Sequence, residues 1–216
     1  MNFEDGRFAY WVGLTQADGS LKSRRNGSVS LEIEVKDKIL AEAFRDACNK
    51  FFGKDLKVFR RTDGRWCCGM GVKKLLKAFE SLDLEFKDPP SPPLWFEQNM
   101  HLFGAYIAGV IDGDGNIRIK RPEYPQCVVR VTSGSKQSKL LESLSRIMRC
   151  AVTSTKRRRT VFYDKESRFI DGTWYDLEFL VSSKNMSFMK SFVLPFILLK
   201  RKQRKIENYI RFKEHN

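Results

Sequence analysis

Two acidic residues, Asp18 and Asp114, hold the same place in two similar stretches of the chain, WVGLTQADG over 11–19 and IAGVIDGDG over 107–115. Each stretch closes an apolar run, Phe8 to Ala17 and Phe103 to Gly113, with Asp-Gly, and in each the small residues fall four apart: Gly13 and Ala17, then Ala105, Gly109 and Gly113. That spacing puts the small residues on one helical face, where two backbones can approach closely, so the runs are natural partners. Packed together, their ends deliver both carboxylates to one place, among the unpaired carbonyls and negative dipole ends of two helices. Such a set of oxygens repels itself unless something positive lies between, and hard divalent cations take ligands of this kind. Taken singly, each Asp-Gly also reads as a plain helix stop with glycine in the left-handed position. Two copies 96 positions apart favour the shared site.

The pair resembles the motifs of the LAGLIDADG homing endonucleases, in the single-chain class that carries two motifs and folds as a pseudo-dimer. The second copy is close, with Ile107, Val110 and Gly113 as mild substitutions; the first departs at Trp11, Val12, Thr15 and Gln16, and Gln16 stands where the second has Asp112. The penultimate acid is present in both. The resemblance implies an α+β fold of two repeated αββαββα halves about a pseudo-two-fold axis, with saddle-shaped antiparallel sheets. It also implies that Asp18 and Asp114 bind divalent metal with the carbonyls of Ala17 and Gly113, and that a monomer hydrolyses both strands of a long double-stranded DNA target across the minor groove, leaving short 3′ overhangs. Mg²⁺ is the expected ion, since it keeps several waters and binds through few carboxylates plus phosphate, and Ca²⁺ is expected to permit binding without cleavage.

Leu194 to Gln203, LPFILLKRKQ, resembles the segment that carries the family's active-site lysine, which places that role on Lys200. Read without the resemblance, Lys200, Arg201, Lys202, Arg204 and Lys205 are the solvated or phosphate-binding start of a helix. The first-half counterpart falls on Lys87, where prolines follow at once. The family often has Gln at the end of the second strand; Val35 and Ser133 stand there in this chain. Two other readings of the same pattern are an RNA-binding maturase acting on its own intron and a cleavage-inactive DNA-binding regulator.

The elements that must position these residues follow from pattern. After Asp18-Gly19, Asn26-Gly27 turns into SVSLEIEV, where Val29, Leu31, Ile33 and Val35 alternate with Ser28, Ser30, Glu32 and Glu34. A helix from Lys36-Asp37 to Phe52 stops at Gly53, a hairpin over Leu56 to Val72 turns at Thr62-Asp63-Gly64, and Lys73 to Leu82 is a shorter helix. Four prolines between Asp88 and Pro93 predict a stiff extended linker over 85–96, separating half-domains over 1–84 and 97–216. The second half repeats the order: strands over Asn116 to Arg121 and Gln126 to Ser133, a helix over Ser135 to Met148 capped by Ser135, and strands over Ala151 to Tyr163 and Trp174 to Val181 joined by a charged loop at Asp164 to Gly172. Closing helices run from about Lys184 to Phe196 and Lys200 to Lys213.

Alternation gives each sheet a polar face opposite its apolar one. The polar face of half one is expected to carry Lys22, Arg24, Arg25, Ser28, Ser30, Glu32, Glu34, Arg60, Arg61 and Arg65. That of half two is expected to carry Arg118, Lys120, Arg121, Arg130, Thr132, Lys156, Arg157, Arg158 and Arg159. Two-stranded ribbons of this kind fit the major groove of double-stranded DNA.

A formal charge of +14 on 216 residues points to an acidic polymer as partner, and nucleic acid is favoured over membrane because no basic amphipathic helix with a long apolar face stands out. Half two, at +11, outweighs half one, at +4. No apolar run is long enough for a membrane span and MNFEDGRF lacks a signal-peptide pattern, so a soluble, intracellular protein is expected. Cys48, Cys67, Cys68, Cys127 and Cys150 have no CxxC spacing and only two histidines accompany them, which argues against zinc and for thiols in a reducing compartment.

Overall fold

The two motif runs form the central helices α1 (Gly6–Asp18) and α5 (Met100–Asp114) of a computed structural model, which describes residues 3–86, 89–121, 123–163 and 168–215, the side chains of 159, 161–163 and 168–170 excepted. Asp5 caps α1 by accepting from the Arg7 amide at 2.8 Å, and Asn99 caps α5 by accepting from the His101 and Leu102 amides at 3.0 and 3.3 Å. The small-residue face does what its spacing predicts. A Cβ on Gly13 would lie 2.1 Å from the Tyr106 carbonyl oxygen, and one on Gly109 would lie 2.1 Å from that of Tyr10, so the helices cross backbone to backbone at two equivalent points.

Each half then builds a four-stranded sheet. Half one has β1 (Gly19–Ser23), β2 (Val29–Val35), α2 (Lys38–Phe52), β3 (Phe59–Arg60), β4 (Trp66–Gly71) and α3 (Leu76–Ser81), in strand order β1-β2-β4-β3. After α4 (Leu94–Glu97) and α5, half two has β5 (Gly115–Lys120), β6 (Gln126–Ser133), α6 (Ser138–Met148), β7 (Val152–Tyr163) and β8 (Arg168–Val181), in the matching order β5-β6-β8-β7. All these neighbours pair antiparallel. The chain closes with α7 (Met186–Phe188), a π turn over Met189–Val193, a 3-10 turn over Leu194–Phe196, and α8 (Lys200–His215).

The inward residues of β2, Leu31, Ile33 and Val35, and those of β6, Cys127, Val129 and Val131, join the motif helices in one continuous apolar cluster that spans both halves. That is why α1 and α5 are buried nearly all round: each has its partner helix on one side and a sheet on the other. Cys48, Cys67, Cys68 and Cys127 are buried free thiols, as their spacing implied.

Two expectations are corrected. Helix α6 starts at Ser138, not Ser135, because the Ser135 amide turns back to the Ser133 hydroxyl at 3.4 Å instead. Strand β8 begins at Arg168, so most of the segment assigned to a charged loop pairs in register with β7, as in Arg159↔Gly172 and Thr160↔Asp171; charge does not oppose pairing where the ribbon runs beyond the core into solvent. Residues 164–167 of that loop lie outside the described residues, as does Lys87. The proline segment packs against the fold: Pro90, Pro92 and Pro93 are buried, and Gln16 of α1 bonds the Glu85 and Ser91 backbone. Among the described residues, no helix is long and apolar enough to cross a membrane.

Candidate metal centre and nucleic-acid faces

Helices α1 and α5 end side by side. A Cβ on Gly113 would stand 2.6 Å from the Ala17 Cβ and 3.4 Å from Asp18 Oδ2, so the carboxylate of one motif lies against the backbone of the other. Neither following glycine is left-handed: Gly19 has φ −83° and Gly115 φ −78°, both extended, because each strand starts at once. Glycine is required for a different reason, since a Cβ would meet the helix's own carbonyl, Thr15 O at 2.2 Å or Ile111 O at 2.4 Å. The plain helix-stop reading therefore fails in its geometry.

The electrostatics follow from this crowding. Burial pushes the Asp18 carboxyl up, against the pull of Lys202 and Arg65. Burial and then the charge of Asp18 push Asp114 up to about 7, with Lys202 again opposing. Two partly buried carboxylates, one raised by the charge of the other, is an arrangement that a divalent cation relieves. Among the described residues there is no cluster of three or more His, Cys, Asp or Glu suited to metal, so an ion at this point would rest on two carboxylates completed by backbone oxygens, water or phosphate. That donor set fits a hard, well-hydrated ion.

Of the two lysines in this segment, Lys202 reaches the end of α5, while Lys200, expected to be the active-site lysine, lies on the exposed side. Lys200 is exposed and donates to Gln203 Oε1 at 2.9 Å. Lys202 is 9% exposed, and its Nζ donates to the Ile111 and Asp112 carbonyls at 2.6 and 2.8 Å, capping the end of α5. Burial draws its ammonium down to about 8, with Asp112 and Asp18 holding it up. The signal was in the sequence: Ile206, Tyr209 and Ile210 mark the buried face of α8, and four residues back from Ile206 is Lys202.

The pair Gln16 and Asp112, noticed only as a departure from symmetry, holds the site's supports. Asp112 accepts from Tyr10 Oη at 2.9 Å and from the Leu198 and Leu199 amides at 2.7 and 3.3 Å, fixing the entry to α8 and so Lys202. Gln16 accepts from Tyr106 Oη at 2.7 Å and the Ser91 amide at 3.0 Å, and donates to the Glu85 carbonyl at 2.8 Å. An amide both donates and accepts, as a connection presenting carbonyls and an amide demands; a carboxylate suits two amides.

The polar sheet faces hold most of the expected residues, and several of their cations are paired with acids. Lys22 pairs with Glu32 and Glu34 at 2.9 and 3.0 Å, Arg24 with Glu32 at 3.3 Å, and Arg61 with Glu34 at 3.0 Å. Ser30 donates to Glu32 at 2.7 Å, while Ser28 and Arg25 lie exposed at the hairpin turn. Arg65 stands near enough to Asp18 to act on its charge. In half two Arg118 and Lys120 lie on the exposed side of β5, Lys120 pairs with Glu178 at 3.4 Å, Arg130 pairs with Asp176 and Glu178, Arg157 with Asp176, and Thr132 donates to Asp176 at 2.7 Å. Arg121 closes β5 in a turn with φ 55°.

Strand alternation splits two groups that had been placed together. Arg60 stacks over Trp66 at 5.7 Å, on the side away from Arg61. Lys156 reaches the Tyr175 ring at 5.9 Å and, with Arg158, faces away from Arg157. The side chain of Arg159 lies outside the described residues. The acids Asp176 and Glu178 were missed because no basic pattern marks them; the register of β8 on β6, Thr132↔Asp176 and Arg130↔Glu178, puts them there.

Solved structures share this fold. The chain is similar to I-DmoI in complex with DNA and Ca, at 17% identity and a TM-score of 0.55, over 94% of this chain and 97% of that one. It is similar to the meganuclease I-SmaMI bound to uncleavable DNA, at 16% identity and a TM-score of 0.58, over 99% and 92%. A complex of I-DmoI with DNA and Mn matches at 18% identity and a TM-score of 0.52, over 87% and 96%. The chain has the single-chain LAGLIDADG homing endonuclease fold. No protein-family model and no curated protein matches it. In terms of that fold, α1 and α5 are the two LAGLIDADG helices, and the two sheets are its paired saddles.

Proposed function

We propose that this protein is a monomeric, site-specific, metal-dependent DNA endonuclease that hydrolyses both strands of a long double-stranded target. The observation that carries the reading is the meeting of Asp18 and Asp114 at the joined ends of α1 and α5, each carboxyl pushed up by burial and Asp114 to about 7. A cleavage-inactive binding protein has no use for two partly buried carboxylates that repel. Both come from one chain, so no second copy is needed.

In this reading Asp18 and Asp114 hold divalent metal, Mg²⁺ by preference, with the carbonyls of Ala17 and Gly113. When bound, such an ion supplies an acidified water and a stabilised leaving oxygen. Lys202 holds the end of α5 in place through two carbonyls and keeps a positive charge beside both acids. The halves over 1–84 and 97–216 each lay one polar sheet face along the duplex. Strands of about seven residues at roughly 3.3 Å each suit a target of roughly 18 base steps.

The test uses a plasmid carrying the joined sequences that flank the coding sequence, alongside a pool of plasmids with randomised inserts. Incubation with Mg²⁺ is expected to linearise the first and to select a cleavable subset of the second; Ca²⁺ is expected to support binding alone. Asp18→Asn is expected to leave both intact while still binding. No cutting of either substrate by the wild-type protein with Mg²⁺ or Mn²⁺ overturns the reading.

A further inference from the structure

Asp176 is 3% exposed, yet it lies in the polar face of half two, where neighbouring side chains reach solvent. Its carboxylate is enclosed by charge. Arg157 donates from a terminal nitrogen at 2.7 Å and from Nε, Thr132 Oγ1 donates at 2.7 Å, and the Arg130 guanidinium stands 3.5 Å away. Arg130 is held on its other flank by Glu178. Its side chain is only 15% exposed, whereas that of Arg157 is half exposed.

A guanidinium has five N–H donors in a rigid fork, and these contacts do not consume all of them on either arginine. The fork is held from below by the buried carboxylate while its remaining N–H groups stay available to an acceptor laid across the face. Without the carboxylate, two like charges on β6 and β7, the strands that flank β8, would repel and turn outward as mobile cations. A mobile cation suits phosphate, which any sequence offers; a fixed fork suits the paired O6 and N7 acceptors of guanine in the major groove.

We infer that Asp176 is a positioning residue for base recognition: it holds Arg130 and Arg157 as a fixed pair of donors that selects guanine in the half-site lying along half two. This rests on the DNA-binding reading above. In half one the equivalent face has its acids on β2, where Glu32 and Glu34 are themselves 21% and 26% exposed and their partners Lys22, Arg24 and Arg61 reach solvent, so no guanidinium there is fixed by a buried carboxylate. The guanine preference therefore belongs to one half-site and not to the other.

The test is selection from randomised 24-base-pair duplexes with Ca²⁺, followed by sequencing of the bound fraction for the wild type, Asp176→Asn and Arg157→Lys. The wild type is expected to enrich one half-site for guanine at one or two positions. Asp176→Asn is expected to lower that enrichment about tenfold, to leave preferences in the other half-site unchanged, and to strengthen binding to unselected duplex with a steeper salt dependence. A purely structural role would instead weaken binding to all sequences together. Arg157→Lys keeps the charge and alters a half-exposed side chain, so it serves where Asp176→Asn fails to fold, and it is expected to lose the same preference while holding phosphate affinity. Undiminished guanine enrichment in the folded variants overturns the inference and leaves the endonuclease reading standing. No enrichment by the wild type, with no retention of any duplex, overturns both.

Discussion

Tyr10 of the first motif helix donates its phenolic hydrogen to Asp112 of the second at 2.9 Å. The equivalent Tyr106 gives the reverse bond to Gln16 at 2.7 Å. Each bond crosses the helix interface and ends on a residue that tethers the chain leaving its own half, so the crossing of α1 and α5 and the seating of Lys202 are one connected structure. Tyr10→Phe leaves the Asp112 carboxylate on two backbone amides and is expected to lower unfolding free energy by about 1–2 kcal/mol. Tyr106→Phe is expected to fall at the low end of that range, because Gln16 is neutral. Denaturant midpoints for the two variants check the order.

The two carboxylates make a pH prediction. Unfolded, Asp114 titrates near about 3.9; folded, burial and Asp18 move it to about 7. Between these values the folded state holds a proton that the unfolded state has lost. Metal-free stability is therefore fully present below about pH 4 and declines as pH rises to about 7, by at most about 1.4 kcal/mol per unit. Asp114→Asn is expected to flatten this slope and to raise the melting temperature at pH 8, while abolishing plasmid cleavage. Divalent-ion affinity, which needs the ionised form, is expected to rise over the same range. Thermal melts from pH 4 to 8 with and without Mg²⁺ measure both.

Lys200 and Lys202 separate two roles for the same segment. Lys200→Ala is expected to leave cleavage within about twofold, since that side chain is exposed on Gln203. Lys202→Met keeps the stem's packing but frees the Ile111 and Asp112 carbonyls and removes the charge beside both acids. A loss of about a hundredfold in cleavage rate is expected, a magnitude typical of one positioned proton-bearing group. Single-turnover rates of the two variants decide between them, and the reverse order would restore the role to Lys200.

Gly13 and Gly109 admit no side chain. An added Cβ at either would lie 2.1 Å from a backbone oxygen of the opposite helix, which no rotamer can relieve. Gly13→Ala or Gly109→Ala is expected to destabilise by on the order of 3 kcal/mol through forced separation of the helices. Gly71, with nothing within 4 Å of its Cβ position, is the control, and Gly71→Ala is expected to be nearly neutral. Urea midpoints for the three variants are the measurement.

Salt dependence reports how many cations are free for phosphate. Neutralising about eight phosphates gives a slope of log K against log salt near about −7. Because Lys22 and Arg24 are tied to Glu32, Glu32→Gln is expected to steepen that slope by about one to two. Duplex binding at a series of salt concentrations checks it, and an unchanged slope means the pairs open on contact with DNA.

What this chain's sequence determined by itself is what depends on neighbours along the chain. Four-residue spacing set Gly13 and Gly109 on helix faces, two-residue alternation pointed Leu31 and Ile33 inward with Glu32 and Glu34 outward, and the repeat of Asp-Gly placed Asp18 and Asp114 at equivalent helix ends. What only the tertiary structure decided depends on residues far apart in the chain being brought into register. Lys202 and not Lys200 reaches the end of α5 and acts on the charge of Asp18 and Asp114, because the rotation of α8 is set by Ile206, Tyr209 and Ile210 entering the core. The pairing of β8 with β6 sets Asp176 under Arg130 and Arg157, a contact that no local pattern encodes. The basic face therefore carries less free charge than its composition suggests, since a side chain's charge is local while its neutralisation comes from a neighbouring strand 8 to 48 positions away.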